Sequence, residues 1–198
     1  MNILVDLLPI AVEIDNKNYE INSDFRTSIL FELLMQDSSI GAEDKIITAL
    51  ELYYPVIPEN INEAIEQMLW FYRCGKDIKK SKAKGKSKSV TQIYSFEYDD
   101  DYIYAAFMDQ YNIDLQDIEY LHWWKFKAMF NSLKEDIKIV KIMEYRSIDL
   151  SKIKDKEQKA YYKKMKNLYE IPISKDEDRK LREIEEAILN GGDLSKVL

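Results

Sequence analysis

The chain has 198 residues, of which 46% are hydrophobic and 33% are charged, and its formal net charge is -7. An acidic balance argues against general nucleic-acid binding, because the neutralisation of phosphates requires a basic surface. The single cysteine, Cys74, excludes an intramolecular disulfide and any metal site built from several cysteines. The presence of only 5 glycines and 4 prolines favours long helices over a sandwich or a barrel.

The first fifteen residues contain an apolar stretch, but they lack a basic segment and include Asp6, so we expect no signal peptide. No apolar run comes close in length to the roughly 18 residues that a membrane-spanning helix needs. Cysteine usage this low fits a reducing cytosol. We therefore expect a cytoplasmic protein with no membrane partner.

Residues 11–22 alternate apolar and polar side chains on both sides of a short polar turn. Because Asn and Asp tolerate the left-handed conformations of tight turns, this pattern predicts a β-hairpin that turns at residues 15–18. Two strands alone are marginal in water, so we expect the hairpin to pack against helices or to join another sheet.

Apolar side chains then recur at helical spacing in three stretches. Ser23 is placed to cap the first predicted helix, and Gly75 is placed to end the third. Prolines end the second, since the residue before a proline disfavours the helical conformation. The predicted helices span residues 24–36, 42–53 and 59–75.

Residues 76–88 hold seven lysines against one aspartate, a local charge of +6 that leaves -13 on the remainder of the chain. With Ser, Gly and Ala as spacers, this stretch cannot bury apolar surface, which predicts a flexible loop or linker. It lacks the interleaved aromatic residues on which nucleic-acid bases stack. We therefore predict a loop at residues 76–92 that separates a hairpin-plus-helices part, residues 1–75, from an aromatic helical part, residues 93–170.

The aromatic part has its densest stretch at residues 96–133, which contain two of the three tryptophans and the only histidine. The spacing predicts two amphipathic helices joined by a short turn at residues 112–114. In the second of these helices, Leu115, Ile118 and His122 would share one apolar stripe.

Two further helices are predicted at residues 134–146 and 156–169, and the second is basic with a narrow apolar seam that includes Tyr161 and Met165. A capping-box signature then predicts a charged final helix within residues 171–198. Together these patterns predict a mainly α-helical fold with a short N-terminal β-hairpin.

No pattern typical of catalysis or metal binding stands out. Asp99, Asp100 and Asp101 lack the spacing of a calcium loop, so we interpret them as capping carboxylates that also favour the positive end of a helix dipole. His122 has no nucleophile motif and one histidine cannot build a typical zinc site, so we expect a buried, hydrogen-bonded histidine. Cys74 has no basic histidine partner, and we expect a half-buried structural thiol. The sequence thus predicts a protein that is not an enzyme and has no cofactor or metal.

Two motifs resemble a known family. The first is V-x-I-D-x-K-x-Y-x-I-N followed by S-x-F-R at residues 12–26. The second is F-M-D-Q-Y-N-I-D-L followed by L-H-W-W-K-F-x-A-M-F-x-S-L at residues 107–133. Over roughly residues 8–170 the chain resembles bacteriophage gene products encoded near the tape-measure gene, a family similar to the tail assembly chaperones.

The resemblance implies a non-enzymatic protein that coats the helical tape-measure protein until tail-tube subunits polymerise around it. The implied partners are the tape-measure protein and the tail-tube protein, and self-association stays open. Such a chaperone would act in the host cytoplasm and be absent from the mature virion. As partner-binding residues we predict Trp123, Trp124, Phe126, Tyr161 and Met165.

Two alternatives belong to other classes. The first is a structural virion component, such as a head–tail connector or a tail-completion protein, which would remain in purified particles in stoichiometric amounts. The second is a nucleic-acid-binding regulator that uses the lysines of residues 76–88, and the absence of DNA binding at low ionic strength would exclude it.

Overall fold

The computed structural model describes residues 1–76 and 92–172. Within these ranges the chain forms two strands and seven helices, which confirms the predicted mainly α-helical fold with an N-terminal hairpin. The strands are β1 (Ala11–Ile14) and β2 (Lys17–Glu20). The helices are α1 (Phe25–Gln36), α2 (Ala42–Tyr53), α3 (Ile61–Tyr72), α4 (Asp100–Tyr111), α5 (Trp123–Asn131), α6 (Lys138–Ser147) and α7 (Lys156–Leu168).

Two predicted elements lie outside the described residues, namely most of the lysine-rich loop and the charged final helix. Among the helices that are described, none is long and apolar enough to cross a bilayer.

The hairpin turns at Asp15 and Asn16, whose φ angles of 49° and 56° lie in the left-handed region. Because Ile14 pairs directly with Lys17, only these two residues form the turn, which is two residues shorter than predicted. The hairpin packs against α3, and the Asp15 backbone N–H donates to a carboxylate oxygen of Glu63 at 3.1 Å. Packing against a helix is one of the two environments expected for an isolated hairpin.

Helix α1 begins one residue later than predicted, because Asp24 rather than Ser23 is its N-cap. One oxygen of the Asp24 carboxylate accepts the Arg26 backbone N–H at 3.0 Å, and the other accepts the Leu121 backbone N–H at 3.1 Å. The Ser23 hydroxyl instead hydrogen-bonds the Tyr120 hydroxyl at 2.7 Å. The cap of α1 therefore also positions the chain that leads into α5.

The segment between α4 and α5 departs most from the predicted secondary structure. Helix α4 ends where Asn112 takes a left-handed conformation with φ 51°. Helix α5 begins only at Trp123, so the helix predicted to start at Leu115 is wrong over residues 115–122.

Tertiary hydrogen bonds explain why this segment is not helical. The Asp114 side chain accepts the Gln116 backbone N–H at 2.8 Å, which closes a local turn. The Arg26 guanidinium donates to the carbonyls of Leu115 and Ile118 at 2.9 and 2.8 Å. A side chain 89 residues earlier in the chain thus binds carbonyls that a helix would have used for its own bonds.

The observed bounds of the other helices differ from the predicted bounds by a few residues at most. Helix α2 has the predicted bounds, and α7 ends one residue early. Helix α3 begins later than predicted because Asn60 caps it, its side chain accepting the Glu63 backbone N–H at 3.3 Å. It also ends earlier, before Cys74 and Gly75 take left-handed conformations with φ 57° and 67°. Helix α6 starts four residues later than predicted, after a turn at residues 134–137.

One hydrophobic core contains side chains from residues 1–75 and from residues 93–170. Phe126 of α5 lies at its centre and is fully buried. Its ring stacks on Phe25 of α1 with centroids 4.9 Å apart and on Phe107 of α4 with centroids 4.8 Å apart. Aromatic contacts of this kind add about 0.5–1.5 kcal/mol per pair to the burial of the rings.

A buried ion pair between Asp99 and Arg146 ties α4 to α6. Two guanidinium nitrogens donate to the two carboxylate oxygens at 2.5 and 2.9 Å, and the side chains are 1% and 7% exposed. Arg146 also donates to the backbone carbonyls of Ile93 and Tyr169. Asp99 occupies the N-cap position of α4 but makes no side-chain cap bond, so its interpretation as a capping carboxylate is wrong. Asp100 and Asp101 do lie in the first helical turn, as predicted.

We expect Arg146→Met to lower the free energy of unfolding by roughly 3–5 kcal/mol, because it leaves the Asp99 carboxylate buried without a counter-charge. Urea denaturation followed by circular dichroism measures the loss. Adding Asp99→Asn should recover part of it, since the uncompensated charge is then removed.

The matched control is Lys152→Met, which breaks the exposed Lys152–Asp149 pair. That pair lies at 3.8 Å with side chains 82% and 51% exposed, so we expect a change within about 0.5 kcal/mol. Equal, small losses for Arg146→Met and Lys152→Met would contradict a structural role for the buried pair.

Candidate partner-binding surface

Three of the five predicted partner-binding residues are buried. Trp123 and Phe126 have no exposed surface, and Trp124 is 4% exposed. The indole N–H of Trp123 donates to the Tyr72 carbonyl at 2.8 Å, and that of Trp124 donates to the Phe71 carbonyl at 2.8 Å. A partner can touch these side chains only if this packing opens, so we place the candidate contact surface elsewhere.

His122 is buried and hydrogen-bonded, as predicted, but it is the N-cap of α5 rather than a member of a helical stripe. Its Nδ1 accepts the Trp124 backbone N–H at 3.0 Å, so its Nε2 carries the proton and donates to the Pro9 carbonyl at 3.0 Å. Burial lowers the pKa of His122, the Pro9 carbonyl partly opposes this, and the charge of Lys125 adds to it. The histidine thus joins the N-terminal segment to α5 in its neutral form.

Cys74 is half-buried and takes a left-handed conformation with φ 57° at the end of α3. Burial raises the pKa of its thiol, although Lys127 and Lys76 oppose that shift. A raised pKa disfavours the thiolate that a nucleophile or a metal ligand requires. Among the described residues, no group of three or more His, Cys, Asp and Glu side chains is arranged to hold a metal ion. That the protein is not an enzyme stays a prediction.

The remaining predicted residues, Tyr161 and Met165, lie on α7. Tyr161 is 50% exposed, Met165 is half-buried, and Leu168 is 64% exposed. These three positions follow the i, i+4, i+7 spacing of one helix face, and we refer to them as the α7 seam. Helix α7 packs against α6 and buries none of its own residues. It therefore presents an apolar seam that nothing in the described chain covers fully.

A cluster of tyrosines attaches α7 to α6. The Tyr145 ring of α6 stacks on Tyr169 with centroids 6.0 Å apart, and the hydroxyls of Tyr145 and Tyr161 lie 3.3 Å apart. Lys138 places its ammonium 4.7 Å from the centre of the Tyr169 ring, a cation–π contact. The hydrogen bond with Tyr161, in which a protonated Tyr145 can donate, together with desolvation raises the pKa of Tyr145 to about 12, so its hydroxyl stays protonated at neutral pH.

Sequence reasoning singled out Tyr161 but missed Tyr145, Tyr162 and Tyr169. Tyr162 packs against Tyr145 at 6.1 Å and against Tyr161 at 5.5 Å. The available signal was the recurrence of tyrosine on two successive amphipathic helices, where a polar tip and an apolar ring suit a half-exposed contact.

Charge is distributed unevenly around this surface. Residues 138–170 include ten Lys and Arg side chains against five Asp and Glu, whereas residues 1–76 and 92–137 include 23 acidic side chains against eight basic ones. The α7 seam thus lies in a basic region attached to an acidic body. A surface of this kind attracts a partner of complementary charge.

The chain matches a model of a known protein family. A family model described as "Bacteriophage Gp15 protein" matches residues 4–171, more than four-fifths of the chain. No curated protein and no solved structure matches significantly.

The environment of His122 predicts a pH dependence of stability. Because folding lowers the pKa of this histidine, its contribution to stability is fully present above the unfolded pKa of about 6.5 and is lost as the pH falls through the folded pKa. Between about pH 7.5 and about pH 5.5, the urea concentration at the midpoint of unfolding should therefore fall further for the natural chain than for His122→Asn.

Asparagine is a suitable control because its side-chain oxygen also caps helices but does not titrate. The carboxylates titrate equally in both chains, so the difference between the two isolates the histidine. An identical pH dependence in the natural chain and in His122→Asn would contradict this assignment.

Proposed function

The chain belongs to the bacteriophage Gp15 protein family, and from this premise we propose that it is a tail assembly chaperone that binds the tape-measure protein. Membership of a phage protein family supports a role in phage structure or assembly. The chaperone activity, the tape-measure client and the non-enzymatic mechanism are the proposal. It includes action in the host cytoplasm and departure of the chaperone before the virion matures.

The single observation that carries the proposal is the α7 seam. An amphipathic helix whose apolar residues stay partly exposed is a typical element of helix recognition, in which the partner contributes a second amphipathic helix. Tyr161 and Leu168 are the most exposed members of the seam. Together with Met165 they offer anchors at the spacing with which one helix packs along another.

The size of the seam suits a transient complex. Burying one large apolar side chain contributes about 1.5–3 kcal/mol, and only two side chains of the seam are mostly exposed. One copy would therefore bind weakly, and many copies along a single long client would hold it together. Weak individual contacts also allow displacement when tube subunits polymerise around the client.

Lysines surround the seam on α7, including Lys163 and Lys164. Their charges would speed the encounter with an acidic stretch of the client and make the complex sensitive to salt. The proposed client segment is therefore an amphipathic helix with acidic residues beside its apolar stripe.

Co-expression with the tape-measure protein of the same phage tests the proposal. We expect the natural chain to raise the soluble fraction of the tape-measure protein and to co-purify with it. Tyr161→Ser combined with Leu168→Ser should weaken the complex by roughly tenfold or more, because two apolar contacts are lost. Soluble yield and pull-down at fixed salt are the measurements.

Tyr98→Ser is the matched control, since Tyr98 is 44% exposed and lies outside the α6–α7 region. It should leave co-purification unchanged. If the natural chain neither solubilises nor co-purifies the client, the proposal fails. Recovery of the chain from purified virions in stoichiometric amounts would instead indicate a structural component of the particle.

A further inference from the structure

A cleft of about 560 Å³ lies beside α1, α4 and the segment that precedes α5. Its floor is aromatic and its rim is polar. The floor includes Phe25, Phe96, Ile103 and Phe126, and the rim includes Arg26, Asp100, Asp101, Tyr104 and Gln116. A volume of this size accommodates one or two large side chains together with the polar groups beside them.

Within the described part of the chain, the charge on the rim of the cleft that has no ion-pair partner is negative. Arg26 is already engaged, since its guanidinium contacts Asp24 and two backbone carbonyls. Asp100 and Asp101 are exposed, and no ion pair within the described ranges involves either of them. The cleft therefore suits an apolar or aromatic side chain that is flanked by cations.

We propose that this cleft binds α7 of a second copy of the same chain. Helix α7 has the complementary chemistry, because it combines the exposed Tyr161 and Leu168 with the neighbouring Lys163 and Lys164. The basic region at residues 138–170 and the acidic region formed by residues 1–76 and 92–137 are complementary in charge. One side chain of the seam enters the cleft, and the lysines approach the rim.

The partner helix comes from another copy because α7 is held in place in its own. Arg146 donates to the Tyr169 carbonyl at 2.6 Å, and Lys166 donates to the Ile148 carbonyl at 3.3 Å. Occupation of its own cleft would require these bonds and the tyrosine cluster to break. The same surfaces are free to meet between copies.

Cleft and seam are different surfaces, so the contact is heterologous, and each bound pair of copies leaves one cleft and one seam unoccupied. Such contacts form open chains unless the geometry closes a ring. The proposal rests on the cleft and on the charges, and it does not depend on the identity of the client. Because the client and the second copy would use the same seam, they would compete for it.

Sedimentation velocity of the full chain over a range of concentrations tests the proposal. We expect self-association at low ionic strength that weakens in about 1 M salt, where the screening length falls to about 3 Å. Asp100→Lys with Asp101→Lys, and separately Lys163→Glu with Lys164→Glu, should each weaken association by roughly tenfold or more. A mixture of the two variants should associate again, because each then offers the complement of the other.

The matched control is Glu43→Lys with Asp44→Lys, an exposed acidic pair in the first turn of α2 that corresponds to Asp100 and Asp101 in the first turn of α4. This control should associate like the natural chain. A monomer under all conditions, an equal loss in the control, or a mixture that stays monomeric would each overturn the proposal.

Failure of self-association can be distinguished from failure of the proposed function. The variant with Asp100→Lys and Asp101→Lys keeps an intact α7, so it should still co-purify with the tape-measure protein while losing self-association. Thermal unfolding of each variant checks that the exposed substitutions leave the fold unchanged.

Discussion

Two indole N–H groups hold the end of α3 to the start of α5, and much of the structure depends on them. The last carbonyls of any helix lack partners within the helix, and leaving such a group buried and unpaired costs about 1–3 kcal/mol. Here Trp123 donates to the Tyr72 carbonyl, and Trp124 donates to the Phe71 carbonyl, which also accepts the Cys74 backbone N–H at 2.9 Å. The Tyr72 and Trp123 rings stack with centroids 5.8 Å apart. The two parts of the chain thus share hydrogen bonds as well as one hydrophobic core. This explains why the aromatic motif of α5 is internal.

Helix α7 is attached in a different way. Its contacts with α6 involve tyrosine rings and one arginine that binds a backbone carbonyl, and it contributes no buried side chain. This attachment fixes the direction of the helix and leaves its apolar seam partly exposed. The cleft has an acidic rim and the apolar seam of α7 is flanked by lysines, so one chain carries two surfaces of complementary chemistry. Under the two proposals above, the tape-measure protein and another copy of the chain would compete for the seam, so self-association would oppose binding of the tape-measure protein.

Local patterns predicted those elements whose hydrogen bonds close within the element. The hairpin followed from alternation around Asp15 and Asn16, and α2 followed from helical periodicity. The patterns failed where distant side chains decide. Residues 115–122 have helical spacing, but Arg26 binds the carbonyls of Leu115 and Ile118. Asp99 has the position of a capping residue, but its carboxylate binds Arg146, which lies 47 positions later in the chain.

The candidate surface was predictable only in part, for a related reason. Aromatic content indicates that a helix must be buried or must bind a partner, and it does not distinguish the two outcomes. Trp123 and Phe126 are buried by residues that include some from α1 and α3, whereas Tyr161 lies on α7, which among the described helices packs mainly against α6. Which outcome applies is decided by the arrangement of the neighbouring helices, and the sequence of a single segment does not record that arrangement.

The distribution of aromatic residue types has a spectroscopic consequence. All three tryptophans lie at the junction of α3 and α5, where Trp70 meets Trp124 at 5.6 Å and Trp123 stacks on Tyr72. The α6–α7 region described here contains tyrosines and no tryptophan. Intrinsic tryptophan fluorescence therefore reports separation of the two parts of the core and is insensitive to α7. The natural chain thus carries a built-in optical probe that distinguishes unfolding of the core from events at its basic helix.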